Sequence, residues 1–308
     1  MLVEEELARI SPAKDTLLTV GVFDGVHVGH KYLLSQLVKR AREMDMLSGV
    51  VTFRQHPQQV ITGSALPRLT RLEQRIALIK SEGVDFVVTL SFTSELAHLT
   101  AREFIGLLQK YLRMRGLVVG PDFILGYQRE GDIKRIRELG REMDFSLTVI
   151  SPIMLDGDVA SSSTIRQALA QGDMDKVRRL LGRCFSLTGR VVHGDGRGRQ
   201  LGFPTANLEV NSEQALPADG IYATLAHISS KTYQSVTNIG WCPTFDGRVR
   251  TVEVYIFDFS GDLYGSEMTI DIIRRLREEK RFDSVQQLKE QIVKDVEQCK
   301  AILSAESI

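Results

Sequence analysis

The chain has 308 residues, enough for two domains of ordinary size. Its 39 Lys and Arg balance 39 Asp and Glu, so nothing marks a nucleic-acid stripe or an affinity for anionic membranes. An apolar fraction of 43% is that of a soluble globular protein, and no apolar run is long enough to span a bilayer. The N-terminus carries Glu4, Glu5 and Glu6 without a long apolar segment, which argues against a signal peptide. Cys184, Cys242 and Cys299 are odd in number and far apart, giving neither a disulfide framework nor a zinc pattern. A cytoplasmic protein is expected, acting on small molecules rather than on nucleic acid or membrane.

The first half alternates strand and helix. The apolar run Leu17–Val22 reads as a buried parallel strand, and Leu33, Leu34, Leu37, Val38 and Ala41 then recur at helical spacing. Between them lies Gly21-Val-Phe-Asp-Gly-Val-His-Val-Gly-His30, a glycine-rich turn into a helix. Gly21, Gly25 and Gly29 let the backbone turn tightly, and a helix N-terminus suits phosphate. His27 and His30 stand at that mouth with protons to donate. The His-x-Gly-His spacing resembles that of the nucleotidyltransferase superfamily, in which the α-phosphate of ATP is attacked.

Further strands are predicted at 50–53, 86–90, 117–119 and 147–150. The capping boxes Thr70-x-x-Glu73 and Thr100-x-x-Glu103 open helices between them. This pattern gives a parallel sheet with helices on both faces, whose ligands sit at the carboxyl ends of strands. Three loops there are candidates: 51–57, 119–131 with Asp122 and Phe123, and Ser161-Ser162-Ser163-Thr-Ile-Arg166. The serines offer hydroxyls and N–H groups at a helix start, and Arg166 adds a charge one turn on. Gly172-Asp173 breaks that helix and caps the next, which ends near Gly182.

From Phe185 the period changes to strands at 186–192, 221–228, 234–239, 252–259 and 267–273, predicting an antiparallel barrel or sandwich. A helix from the capping box Ser284-x-x-Gln287 to about Leu303 closes the chain. The domain boundary falls near Arg183, giving domains over 1–183 and 184–308. The loop His193-Gly194-Asp-Gly-Arg-Gly198-Arg199-Gln-Leu-Gly202-Phe-Pro-Thr205-Ala-Asn207 is open and backbone-rich, fit to wrap phosphates, with Arg197 and Arg199 adding charge. It lacks the Gly-Lys-Ser/Thr of a Walker loop. Thr205 and Asn207 are hard oxygen ligands suited to Mg²⁺ shared with phosphates.

The run Gly-Arg-x-Leu-Gly-Phe-Pro-Thr-Ala-Asn resembles that of riboflavin kinases. Val252-Glu-Val-Tyr-Ile-Phe-Asp-Phe259, Asp262-Leu-Tyr-Gly265 and Arg277-x-Glu279-x-x-Phe282 are similar to that family's later motifs. The histidine turn, Gly120-x-Asp-Phe123 and the serine-rich Ile-Arg motif are similar to FAD synthetase modules. From about Thr19 to Asp295 the chain thus resembles the prokaryotic bifunctional riboflavin kinase/FAD synthetase family. The resemblance implies an α/β Rossmann-like nucleotidyltransferase domain followed by a β-barrel kinase domain with a C-terminal helix. It implies ATP and Mg²⁺ used twice, taking riboflavin to FMN and FMN to FAD.

Carried over by motif, Glu253 is the kinase base and Thr205 with Asn207 holds the metal. His193, Gly194, Gly198, Arg199 and Gly202 take ATP in that half. Gly21, Phe23, Gly25, Gly29, His27, His30, Ser161, Ser162, Ser163 and Arg166 serve ATP in the other. Asp122, Phe123, Arg277 and Phe282 line flavin sites. The chain departs from the family pattern at Arg54 and Gln55, where Asp-Pro is usual, at Ile124 and Leu125, at Ser163, and at Glu278. Most departures fall in the synthetase half, which admits a narrower reading: a riboflavin kinase whose nucleotidyltransferase half is weakened or altered.

Overall fold

The computed structural model describes residues 2–194, 196, 198, 201–244 and 247–305. They gather into two compact units, Met1–Ser162 and Ser163–Ile308.

The first unit is an α/β layer structure. Its elements are α1 (Leu2–Ala8), β1 (Thr16–Val20), α2 (Val28–Glu43), β2 (Leu47–Phe53), α3 (Pro57–Thr62), α4 (Leu72–Ser81), β3 (Phe86–Leu90), α5 (Ser94–His98), α6 (Ala101–Leu112), β4 (Met114–Val119), α7 (Ile133–Glu142) and β5 (Ser146–Val149). The strands are parallel, in the order β3-β2-β1-β4-β5. All five residues of β1 are buried, as a strand covered on both faces demands. Leu17 packs in one apolar cluster with Leu34, Leu37 and Ile79, while Leu18 packs in another with Leu7, Ile105 and Leu108. Alternation along one strand thus builds the cores on both sides of the sheet. A small hairpin, β6 (Met154–Leu155) with β7 (Asp158–Val159), then leads into α8 (Ser162–Gln171).

Thr100 and Glu103 form the expected capping box on α6. Thr70 and Glu73 do not. Helix α4 starts from Arg71 with no side-chain cap, because the Thr70 hydroxyl is engaged by the turn after β1.

In the second unit α9 (Met174–Leu181), capped by Asp173 and stopped by left-handed Gly182, packs on β8 (Phe185–Val192) and β13 (Glu267–Arg277). These two strands belong with β9 (Ala206–Val210), β10 (Gly220–Ile228), β11 (Lys231–Thr244) and β12 (Gly247–Ile256) to a closed antiparallel barrel, in the order β10-β11-β12-β9-β8-β13. The architecture is therefore a barrel rather than a sandwich. Its interior takes Tyr222, Ile239, Val252, Val254, Ile270 and Ile272, together with a buried hydroxyl set in which Thr224 bonds Ser235 and Thr237, each at 2.7 Å. Opposite β10, β13 shifts register twice, leaving Ile273 and Leu276 as extra residues. Both pack, with Ala223, Leu225 and Val236, beneath Cys299 and Leu303 of the closing helix α10 (Val285–Ala305). Ser284 caps that helix by accepting from Gln287 N–H, while the Gln287 side chain accepts from Asp283 N–H.

Candidate active sites

The turn after β1 is backbone under constraint. Phe23, Gly25 and Val26 have φ of 54°, 83° and 38°. A positive φ costs a β-branched residue such as Val26 most, and such conformations persist only where the surroundings enforce them. Here Asp24 supplies the enforcement. Its buried carboxylate accepts from Leu69 N–H at 3.0 Å, from Thr70 N–H at 3.1 Å and from the Thr70 hydroxyl at 3.2 Å. The Thr70 oxygen in turn accepts from Gly25 N–H at 3.1 Å. From the other side the Ser162 hydroxyl donates to Asp24 C=O at 2.8 Å.

The turn delivers His27 to the N-cap of α2. Its Nδ1 accepts from His30 N–H at 3.3 Å, which places the ring proton on Nε2. The two imidazoles stack with centroids 3.7 Å apart, and Phe23 packs against His30 at 5.0 Å. Burial, then the neighbouring His27 and Arg75, hold His30 well below its ordinary 6.5. Its Nδ1 is buried without a partner. A Cβ at Gly29 would sit 3.1 Å from both Ala160 C=O and the His27 ring, so a side chain there would crowd the helix start. Asp24 and Arg75 carry no local motif that marks them, and the Thr70 hydroxyl serves the turn instead of capping α4. Arg75 occupies the buried face of α4 one turn before Ile79, and a charge on an apolar face is the signal that could have found it.

Of the serines, Ser162 is tied to the turn; Ser161 is half-buried and Ser163 exposed. Ser163 and Arg166 belong to the second compact unit. The departing residues at 54 and 55 have local partners. Arg54 lies 3.7 Å from Glu6, a buried carboxylate of α1 that also accepts from Ser91 N–H and hydroxyl. Gln55 accepts from Phe92 N–H at 3.4 Å. Leu125 pairs with Gly131 in an isolated bridge, and with Ile136, Phe123 and Ala101 it packs in the α1/α6 core. Asp122 is exposed beside it.

In the barrel, strand register assembles the second site. Glu253 of β12 pairs with Asn207 of β9 on one side and Asn238 of β11 on the other. Val252 and Val254 point into the barrel and are buried, so Glu253 faces outward with those two amides and is half-buried. Gly194 lies against Asn207, where a Cβ would overlap the amide; at Gly198 a Cβ would come 3.2 Å from the Thr205 hydroxyl. Gly194 and Gly198 therefore approach Asn207 and Thr205 with bare backbone. His193 stacks on Tyr264 at 3.8 Å, and Gly202 turns with φ 90°. Arg197 and Arg199 lie outside the described residues. Glu279 reaches the same row. Its carboxyl rests against Gly240, accepts from the Asn238 side chain, and is raised above its ordinary value by burial and by Asp219.

Arg277 is engaged elsewhere. Its guanidinium donates to Asp295 at 2.9 and 2.7 Å and to Glu278 C=O at 2.8 Å, lying 5.9 Å over the Phe282 ring. It clamps α10 to the barrel. Among the described residues no group of three His, Cys, Asp or Glu side chains is gathered for a metal, and neither Cys184 nor Cys299 is in a disulfide.

Two family models match the chain in sequence order: FAD synthetase over residues 10–164 and riboflavin kinase over residues 181–303. Proteins described as bifunctional riboflavin kinase/FMN adenylyltransferase are similar along the length. The Escherichia coli K12 and Pseudomonas fluorescens proteins are each 39% identical, and each match covers 92% of both chains. The Haemophilus influenzae protein is 35% identical over 94% of both. A solved Streptococcus pneumoniae structure, described as a macrolide-efflux protein, matches with a TM-score of 0.88 at 31% identity over 97% of both chains. No helix among the described residues of the present chain is long and apolar enough to cross a membrane. The synthetase match spans the departures at 54, 55, 124, 125 and 163, so the narrower single-activity reading is not favoured. With both domains present, in that order and at that identity, the chain belongs to the bifunctional riboflavin kinase/FMN adenylyltransferase family.

Proposed function

We propose that residues 1–183 carry FMN adenylylation, with His27 and His30 at its centre, and that residues 184–308 carry riboflavin phosphorylation, with Glu253 as base. The observation that carries the kinase assignment is the Asn207–Glu253–Asn238 register row, which sets a carboxylate between two amides beside a loop of bare glycines. The terminal ribityl hydroxyl is a weak nucleophile. Glu253 takes its proton as the oxygen bonds to the γ-phosphorus of ATP and ADP leaves. Gly194 and Gly198 bring N–H groups to the phosphates where a side chain would block them. His193, Gly202 and Arg199 complete that loop's grip on ATP.

Thr205 and Asn207 fit Mg²⁺. Both are hard oxygen donors, Thr205 immediately precedes β9 and Asn207 lies within it, and Gly194 and Gly198 lie against them with no side chain of their own. When bound, the ion offsets charge on the transferring phosphoryl group.

In the first unit the FMN phosphate oxygen attacks the α-phosphorus of ATP, a new P–O–P bond forms, and pyrophosphate leaves. The nucleophile is already anionic, so no strong base is required. A neutral His30 suits this role: it donates to phosphoryl oxygens without the cost of burying a ring charge beside His27 and Arg75. Ser161 and Ser162, with the backbone of Gly21, Phe23, Gly25 and Gly29, serve the same polyphosphate, and the motif continues into Ser163 and Arg166 at the start of the second unit. Asp122 and Phe123 line the FMN pocket; Arg277 and Phe282 border the riboflavin site. ATP, riboflavin and FMN are the partners, and the work is cytoplasmic.

The test is a pair of variants in the full chain, with riboflavin or FMN supplied and flavins separated by chromatography. Glu253→Gln is expected to abolish FMN formation while FAD still forms from FMN. His30→Ala is expected to stop at FMN. Loss of both products in Glu253→Gln, or undiminished FAD from His30→Ala, overturns the corresponding assignment.

A further inference from the structure

Arg75 is a charge where the fold would accept an apolar residue. It lies on the inward face of α4 and is 4% exposed. Nη1 donates to Val22 C=O at 2.9 Å and Nη2 to Phe53 C=O at 2.6 Å. Val22 begins the histidine turn and Phe53 ends β2, so one guanidinium joins the carboxyl ends of neighbouring strands. The Thr52 hydroxyl, donating to the same Val22 oxygen at 3.0 Å, reinforces that junction. Arg75 Nε is buried with no partner.

Compensation for this charge is poor. Two neutral carbonyls accept from it, and among the described residues no carboxylate comes within ion-pair distance of it. The titratable groups around it are Asp24 from the turn, Arg68 from the preceding loop and Glu73 on its own helix, with a neutral His30 from α2. Asp24 is already occupied by Leu69 and Thr70. A buried ion left this way is costly, and a well-packed apolar residue in its place is often neutral or stabilising. An anion arriving at the carboxyl ends of the strands would offset such a charge.

We infer that Arg75 is a positioning residue for adenylyl transfer, holding the ends of β1 and β2 at the spacing the His27–His30 turn needs and keeping a fixed positive charge beneath it for the polyphosphate. The inference rests on the reading of that turn as the ATP site. Arg75 does not itself reach the reacting atoms; it acts through Val22, Phe53 and the histidines. As a cation beside His30 it also keeps that ring neutral. The other groups facing His30 are His27 and Phe23 from the turn, neither of them anionic.

The experiment compares Arg75→Gln, which keeps amide donors without charge, with Arg75→Lys, which keeps charge without the two-pronged fork. His30→Ala is run alongside, and FMN adenylylation is followed across pH in the full chain. Arg75→Gln is expected to lower kcat/KM for FMN by about tenfold to a hundredfold, the range for losing a charge-assisted contact. The acid limb of its profile is expected to move to higher pH. Arg75→Lys, which keeps the charge and loses the fork, is expected to fall less than Arg75→Gln and to leave the acid limb where it is. The inference is overturned if Arg75→Gln matches the native enzyme, or if both variants fall equally at every pH, which is what a packing role alone produces. If His30→Ala forms FAD at the native rate, the reading of the turn itself fails; if it does not and Arg75→Gln is unaffected, only the role of Arg75 fails.

Discussion

The Arg277–Asp295 clamp makes a quantitative prediction. Asp295 is 3% exposed, and its carboxylate takes three bonds from Arg277, at 2.9, 3.2 and 2.7 Å, and one from Gln291 at 2.8 Å. Side-chain exposures of 15% and 5% put the pair among buried ion pairs. Removing one partner of such a pair costs about 3–5 kcal/mol, because the other is left charged and dry. At about 1.36 kcal/mol per tenfold, Asp295→Ala raises the unfolded fraction of the barrel unit roughly a hundredfold or more. For a unit of this size that is a fall in Tm of about 6–20 °C. The chain's single tryptophan, Trp241, lies in β11 and is 51% exposed, so its fluorescence reports the barrel alone. The Arg277→Met/Asp295→Leu double variant is expected to recover most of the loss, since neither ion is then stranded. A shift below about 2 °C for Asp295→Ala, or a double variant no better than the single one, refutes this account.

Other outcomes follow from the same geometry. Gly194→Ala drives a methyl into the Asn207 amide and is expected to cut riboflavin phosphorylation about a hundredfold while FMN adenylylation is unchanged, measured with each flavin supplied separately. His30 is held below its ordinary 6.5 in the folded protein, so between those two values the unfolded chain binds a proton that the folded one does not. Stability of the first unit is therefore complete above pH 6.5 and lost as pH falls below it; His30→Asn is expected to flatten that slope in urea titrations at pH 5 to 7, and an unchanged slope refutes it. Thr70→Val removes the oxygen that accepts from Gly25 N–H and one donor to Asp24. It is expected to cost about 1–3 kcal/mol by the same titration and to raise the KM for ATP in FMN adenylylation.

The sheet, the change of period near Phe185 and the outward face of Glu253 were legible because each is a local pattern: buried runs, alternation and turn residues. The closure of the barrel was not, since alternation alone is shared by barrels and sandwiches. Thr70 was misread for a physical reason. Its Thr-x-x-Glu spacing satisfies the capping pattern, but Asp24, distant in sequence, competes for the hydroxyl and wins. Arg54 and Gln55 looked like damage to a motif. In the structure they answer to Glu6 and Phe92, contacts between segments that no local spacing predicts. Arg277 carries a family motif, yet its guanidinium is taken by Asp295, eighteen positions on. Sequence pattern finds the elements; it does not say which long-range partner a polar side chain prefers.

The closed hydrogen-bonded ring also bears on how this half of the chain can vary. One row of it runs from Val192 through Asn207, Glu253, Asn238 and Ile221 to Arg277, each residue paired with the next. A sheet with free edges can absorb a one-residue insertion by sliding its outer strand. Here every strand has two fixed neighbours, and a slip by one would turn Glu253 into the barrel and Val252 or Val254 out of it. The two bulges of β13 already take up the slack beneath α10. Changes of length are thus confined to the loops, and a single-codon insertion within β12 is an all-or-none event for the kinase.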